Sequence, residues 1–170
     1  MQNETETNRI TVAENAGFCF GVRRAADMIA KEIAFAGSSG ERIFTLGKLI
    51  HNSSYISELE SEGVHVTDTG SLEKLASGAS AGSPVKVFVR AHGMTLDTER
   101  LLISLSERYP FFEFADCTCP FVKKIHRIAE NAPSGDRDIF ILFGDAAHPE
   151  CVGILSRYPE RALSLKPRKR

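Results

Sequence analysis

Short apolar runs alternate with stretches of helical spacing along most of the chain. The runs ITVAEN (10–15), RIFTL (42–46), VHVTD (64–68), VKVFVR (85–90), FFEFAD (111–116) and DIFILFGD (138–145) read as strands. A helical pattern follows most of them. Val22, Ala25, Ala26, Ile29 and Ile33 recur at helical spacing, with Gly37 as a stop. Ser53 or Ser54 is expected to cap a second helix that buries Ile56 and Leu59 and ends at Gly63. SLEKL makes a short helix, and SGASAGS a surface loop. Leu101, Leu102 and Leu105 form the apolar stripe of the helix after VKVFVR, and further helices follow FFEFAD and DIFILFGD. Beyond the last strand the spacing predicts only a weakly amphipathic stretch and a solvated basic tail.

This alternation predicts an α/β fold with a mostly parallel sheet. In such sheets the loops that leave the strands lie on the carboxyl edge, where ligands bind. Cys19, His51, His92, Cys119 and His148 each come just after a strand-like run, so all five are expected on that edge. The first nine residues read as a disordered leader. A parallel sheet ending just past a strand leaves an open edge or face, so the chain looks cut short.

Composition narrows the function class. The 170 residues carry Lys+Arg 21 against Asp+Glu 22, a formal net charge of -1, so no bulk attraction to nucleic acid is expected. No apolar run reaches membrane-span length, and the polar N-terminus lacks the order of a secretion signal. A reducing cytoplasm is the expected setting, in which four cysteines are free thiols or metal ligands rather than disulfides.

Cys19 stands between glycines in GFCFGV, next to the start of a helix whose dipole favours thiolate. Cys119 directly precedes Pro120, which suits the first helical position and makes Cys119 the N-cap. Cys117, two residues earlier, reads as a small packing residue, since C-x-C is not a zinc-knuckle pair. His51, His92 and His148 lie in loops and can bind a metal or an anion, or pass protons near neutral pH. His65 and His126 fall inside strand and helix patterns and read as structural or surface residues. Glu150, beside Pro149 and His148, can donate a proton if burial raises its pKa. Arg90, Lys48, Lys123 and Lys124 can balance an anion, although each is more often simply solvated. Neither G-x-x-x-x-G-K-[ST] nor G-x-G-x-x-G occurs, so nucleotide binding is not supported.

The motifs GFCFGVRRA, LGKLIHN, VFVRAHGM, DCTCPFVKKIH and HPECVGI, in that order, resemble the 4-hydroxy-3-methylbut-2-enyl diphosphate reductase family over about Ile10 to Leu155. The resemblance implies repeated parallel-sheet α/β domains in a three-domain trefoil around a central cluster. Residues 10–115 would be one complete domain and 116–170 part of a second. It implies that Cys19 and Cys119 are two of three ligands of a 4Fe-4S cluster, the third lying beyond this chain. His51 and His92 would bind the substrate's diphosphate, His148 would sit near its hydroxymethyl end, and Glu150 would protonate the leaving hydroxyl. The implied reaction is reductive loss of that hydroxyl to give isopentenyl and dimethylallyl diphosphate, the last step of the non-mevalonate isoprenoid pathway. A ferredoxin or flavodoxin would supply the electrons. Cys151 does not match the third cysteine. Two alternatives stand beside an enzyme: a diphosphate-binding module without catalysis, and a Cys/His protein that binds zinc. Little or no turnover is expected of these 170 residues alone.

Overall fold

The structure is a computed structural model, and it describes residues 11–14, 16–50, 52–158 and 162–166. The expected leader at 1–9 lies outside the described residues. In chain order the elements are α1 (Phe20–Ser39), β1 (Arg42–Leu46), α2 (Ser53–Ser61), β2 (Val64–Thr67), a 3-10 turn (Thr69–Ser71), α3 (Leu72–Ser77), β3 (Val85–Val89), α4 (Leu96–Arg108), β4 (Phe112–Asp116), α5 (Pro120–Glu130), β5 (Phe140–Phe143), α6 (Pro149–Leu155) and β6 (Ala162–Leu165).

Four strands form a parallel sheet in the order β2-β1-β3-β4. Its strands carry apolar residues on both faces, as a sheet sandwiched between helices must. In β3, Val85, Val87 and Val89 join a core with Leu72 and Ala76 of α3 and Leu102 and Leu105 of α4. Phe88 points the other way and packs with Ala25 and Ile29 of α1 and Ile56 and Leu59 of α2. Period-2 alternation thus assigns α1 and α2 to one face and α3 and α4 to the other.

The order reverses between β1 and β3. β1 connects outward to β2, and β2 then crosses back to β3. Loops leaving two neighbouring strands in opposite directions open a crevice at their carboxyl ends, the usual ligand position in open α/β sheets. The loops after β1 and β3 carry the LIHN and AHG motifs. α1 reaches the same edge from its other end. It runs into β1 through a short turn at Gly40 (φ 69), so its N-terminus lies where the strands end.

Three expectations are corrected. Thr11–Glu14 is irregular rather than a strand, and Ile10 and Asn15 lie outside the described residues. Val12 is 75% exposed, so nothing packs on the run to hold it extended. The last segment is more ordered than its composition implied: β6 pairs in parallel with β5 as a second sheet, through Phe140↔Ala162 to Phe143↔Leu165. Phe140 of that sheet stacks on Tyr158, with ring centroids 5.1 Å apart. The opposite face, with Ile141, Phe143, Leu163 and Leu165, is exposed. α2 is capped by Asn52, whose side chain accepts from the Tyr55 N–H, rather than by Ser53 or Ser54. No helix among the described residues is long and apolar enough to cross a membrane.

Candidate functional site

Cys119 is the N-cap of α5 with Pro120 at its first turn, as the sequence predicts. The turn that presents it is braced from both sides. The Cys117 N–H donates to Val89 O (3.2 Å) and the Cys119 N–H to Ala91 O (2.9 Å), which continues the β3–β4 ladder past the strand ends. Asp116 accepts from the Thr118 N–H (2.9 Å) and the Thr118 hydroxyl, and pairs with Lys123 Nζ at 2.6 Å. Burial alone would raise the Asp116 carboxyl, but the Lys123 ammonium and the Thr118 donors overcome it and hold the pKa below the ordinary value. Lys123 is thereby a partner of Asp116, whereas Lys48 and Lys124 are exposed.

Cys19 is the N-cap of α1 and is exposed, with no side-chain capping bond. Two residues on, a Cβ built on Gly21 would lie 2.7 Å from Cys119 Sγ and 2.8 Å from Cys119 Cβ. The N-terminal turns of α1 and α5 therefore meet, and each has a cysteine as its cap. This brings Cys19 to the carboxyl edge without a described strand before it. Cys117 does not join them. It is fully buried, with Sγ 3.8 Å from Met28 Sδ. Cys151 lies elsewhere, its Sγ 2.6 Å from where a Gly144 Cβ would stand.

The imidazoles form a second group. The His92 ring, in the loop after β3, meets the His148 ring edge to face with centroids 5.7 Å apart. His148 caps α6, its Nδ1 accepting the Glu150 N–H at 3.3 Å. That bond places a lone pair on Nδ1, so the neutral ring carries its proton on Nε2. Asp145 shapes the same loop: its carboxylate accepts from the Ala147 N–H (3.2 Å) and pairs with Lys166 (2.7 Å). Glu150 sits in the first turn of α6 beside His148 and is half-buried. The Ala91 carbonyl that accepts from Cys119 directly precedes His92, so the thiol and imidazole loops are tied through one backbone bond. His51 lies outside the described residues.

Arg90 lies half-buried beneath these loops, its Nη1 3.2 Å from where a Gly47 Cβ would stand. Burial lowers its pKa. It lines a cleft of about 260 Å³ together with Thr69, Thr95, Ala147 and Pro149.

Sequence reasoning missed the charged cluster behind the site. Arg157, its side chain 7% exposed, pairs with Glu99 and Glu130 at 2.6 Å each. His126 beside it is buried, the structural one of the two places its helix pattern left open. Only the sequence pattern of α5, which puts His126 two turns after Cys119, hinted at a shared face.

Among the described residues no group of three His, Cys, Asp or Glu side chains is placed to hold a metal ion. The thiols of Cys19 and Cys119 cap adjoining helices and are of the donor type that an iron–sulfur cluster takes, while Cys117 and Cys151 are packed elsewhere.

The structure thus defines a parallel α/β protein with thiols and imidazoles gathered at the carboxyl edge of its sheet. Comparison with known proteins narrows this class. The LytB protein family profile matches residues 10–169. A 4-hydroxy-3-methylbut-2-enyl diphosphate reductase of Caldanaerobacter subterraneus subsp. tengcongensis is 38% identical over 145 residues, which is 85% of this chain and 46% of that protein. The reductase of Pseudothermotoga lettingae is 33% identical over 159 residues, covering 94% of this chain and 51% of that protein. A solved (E)-4-hydroxy-3-methyl-but-2-enyl diphosphate reductase, described as the terminal enzyme of the non-mevalonate pathway, superimposes with TM-score 0.68 and 27% identity over 93% of this chain and 51% of that one. The corresponding Plasmodium falciparum reductase shares the fold, with TM-score 0.71, 24% identity, and coverage of 89% of this chain and 42% of that one. The chain belongs to the LytB family. It spans about half the length of the curated relatives it matches.

Proposed function

We propose that this chain carries the thiol and imidazole half of a reductase site acting on (E)-4-hydroxy-3-methylbut-2-enyl diphosphate. The observation that supports this most is the junction of α1 and α5, where Cys19 and Cys119 cap adjoining helices next to the His92 loop. The reaction takes the allylic alcohol, two electrons and two protons to an alkene and water. One proton leaves with the hydroxyl oxygen and the other ends on carbon.

In this reading Cys19 and Cys119 hold two positions of a 4Fe-4S cluster. When bound, such a cluster supplies the electrons and, at an iron without a thiolate, a Lewis acid for the hydroxyl oxygen. His92, with His51, binds the diphosphate, to which imidazole N–H donors are suited. His148, its Nδ1 occupied by the Glu150 N–H, turns Nε2–H toward the hydroxymethyl end. Glu150, next along α6, gives its proton to the departing hydroxyl. Electrons come from a ferredoxin- or flavodoxin-type carrier, and no nucleic-acid or membrane partner is invoked. The bare apolar face of β5–β6 supports reading 116–170 as part of a larger second α/β domain after a first domain at 10–115.

A second reading is favoured by the ligand count: with no third ligand among the described residues, these residues alone bind the diphosphate but turn over little. One assay tests both. The chain, reconstituted anaerobically with iron and sulfide, is given the substrate and a reduced viologen. Conversion to isopentenyl and dimethylallyl diphosphate establishes the reductase. Binding without conversion, lost in His92→Ala, establishes the second reading. Neither binding nor conversion refutes both.

A further inference from the structure

We propose that His126 is a positioning residue whose ring fixes the spacing of the His92 and His148 rings. The inference rests on the reading of that pair as substrate-binding. His126 lies on α5, two turns after Cys119, and is 5% exposed. Its ring fills the space that two glycines leave. At Gly93, directly after His92, a Cβ would stand 2.9 Å from His126 Cε1 and 3.2 Å from Thr118 Cγ2. At Gly153, in the helix that His148 caps, a Cβ would stand 3.3 Å from His126 Nε2 and 3.1 Å from the Met94 carbonyl. One flat ring is thus wedged between the His92 loop and α6, and it is delivered by the helix that Cys119 begins.

Gly93 has a second reason to be glycine, since its φ of 84 lies in the left-handed region. Gly153 is in a regular helix and has no such reason. There the missing side chain serves the close approach of α6 to the imidazole and to the Met94 carbonyl. His126 Nε2 is buried without a hydrogen-bond partner among the described residues, a cost that an apolar residue would avoid. A branched aliphatic side chain is thicker than an imidazole and would not enter the same slot. Through this wedge the cysteine helix, the His92 loop and the His148 helix take one relative position, which sets the 5.7 Å contact between the two site rings.

The full chain is compared with His126→Ala, His126→Gln and Gly153→Ala. The NOE between the His92 and His148 rings and the affinity for inorganic pyrophosphate are measured by NMR, with thermal stability recorded in parallel. His126→Ala and Gly153→Ala are each expected to weaken the ring–ring NOE and to lower pyrophosphate affinity about tenfold. His126→Gln, with a flat polar end near the Nε2 position, is expected to restore both above the Ala level. A fall in stability with NOE and affinity unchanged in His126→Ala would reduce His126 to a core residue and overturn the proposal. If His126→Ala does not fold, Gly153→Ala decides, and a wild-type NOE in that variant overturns it. Failure of the unsubstituted chain to bind pyrophosphate rejects the diphosphate reading, while the NOE comparison still decides the positioning claim.

Discussion

Gly21 in the first turn of α1 lies against Cys119 so closely that a methyl group there would stand 2.7 Å from Sγ and 2.8 Å from Cβ. The missing side chain at Gly21, two residues after Cys19, is what lets Cys119 approach the first turn of α1. Gly21→Ala must push the two helix ends apart. A destabilisation of about 1–3 kcal/mol is expected from such overpacking. Cys119→Ser does not relieve it, because Cβ itself is in the way. Urea denaturation of the two single variants and the double variant checks this, and unchanged stability of Gly21→Ala contradicts it.

Arg157 joins α4 and α5 to the segment after α6, through Glu99 and Glu130 at 2.6 Å each. Removing the guanidinium leaves two carboxylates that are partly open to solvent and can rehydrate. Arg157→Met is therefore expected to cost about 2 kcal/mol, below the range for a wholly buried pair. Arg157→Lys should recover part of it, since both carboxylates meet the single nitrogen Nη1, a place that an ammonium can also take. Thermal melts of the two variants check this, and a Lys variant no more stable than the Met variant contradicts it.

Stability should depend on pH through His126. Burial, and after it the Arg157 guanidinium, lowers its pKa against the pull of Glu130, Glu99 and Asp116. In the unfolded chain a histidine binds its proton near about pH 6.5, so below that pH the unfolded state takes up a proton that the folded ring resists. The urea midpoint is expected to fall as pH drops below about 6.5, until the folded ring is itself protonated. His126→Gln should flatten that part of the profile. An equal slope in the variant would assign the effect to other groups.

Two of the four thiols should differ sharply in reactivity. Burial pushes the Cys117 thiol up to about 11, and its side chain is closed off against Met28. Cys19 is exposed at the head of α1. Ellman's reagent should modify Cys19 rapidly in the native chain and Cys117 only at the rate of unfolding. Cys117→Ala should leave iron and substrate binding unchanged. Rapid labelling of Cys117 would mean that the turn before α5 opens readily.

Most of the sheet and its helices were legible because each strand is bounded by a turn and followed by a helix of clear period, as in VKVFVR before the Leu102–Leu105 stripe. Cys119 was legible as an N-cap because Pro120 marks the first helical turn. The strand expected at 10–15 was not found over Thr11–Glu14, because a short apolar run without packing partners has no reason to stay extended. β6 was missed for the converse reason: ALSL is weak in isolation and is held by pairing with β5, a partner in space rather than in sequence. The same holds for the Arg157 pairs, which depend on contacts between α4, α5 and the segment after α6, while His126 was left open between a structural and a surface place. The approach of Cys119 to the α1 turn that Cys19 caps was expected as residence on one edge and, from the family resemblance, as two ligands of one cluster. The Gly21 contact that joins them comes from helix packing, which periodicity does not encode.

Whether Cys19 and Cys119 act together as cluster ligands is decided by anaerobic reconstitution with iron and sulfide in excess mercaptoethanol, which can stand in as a third thiolate. Iron and acid-labile sulfide are then counted in the wild type and in each Cys→Ala variant. About four of each per chain are expected, lost in Cys19→Ala and Cys119→Ala and retained in Cys117→Ala and Cys151→Ala. Zinc uptake without sulfide, no loading at all, or loading that survives removal of both Cys19 and Cys119 would contradict it.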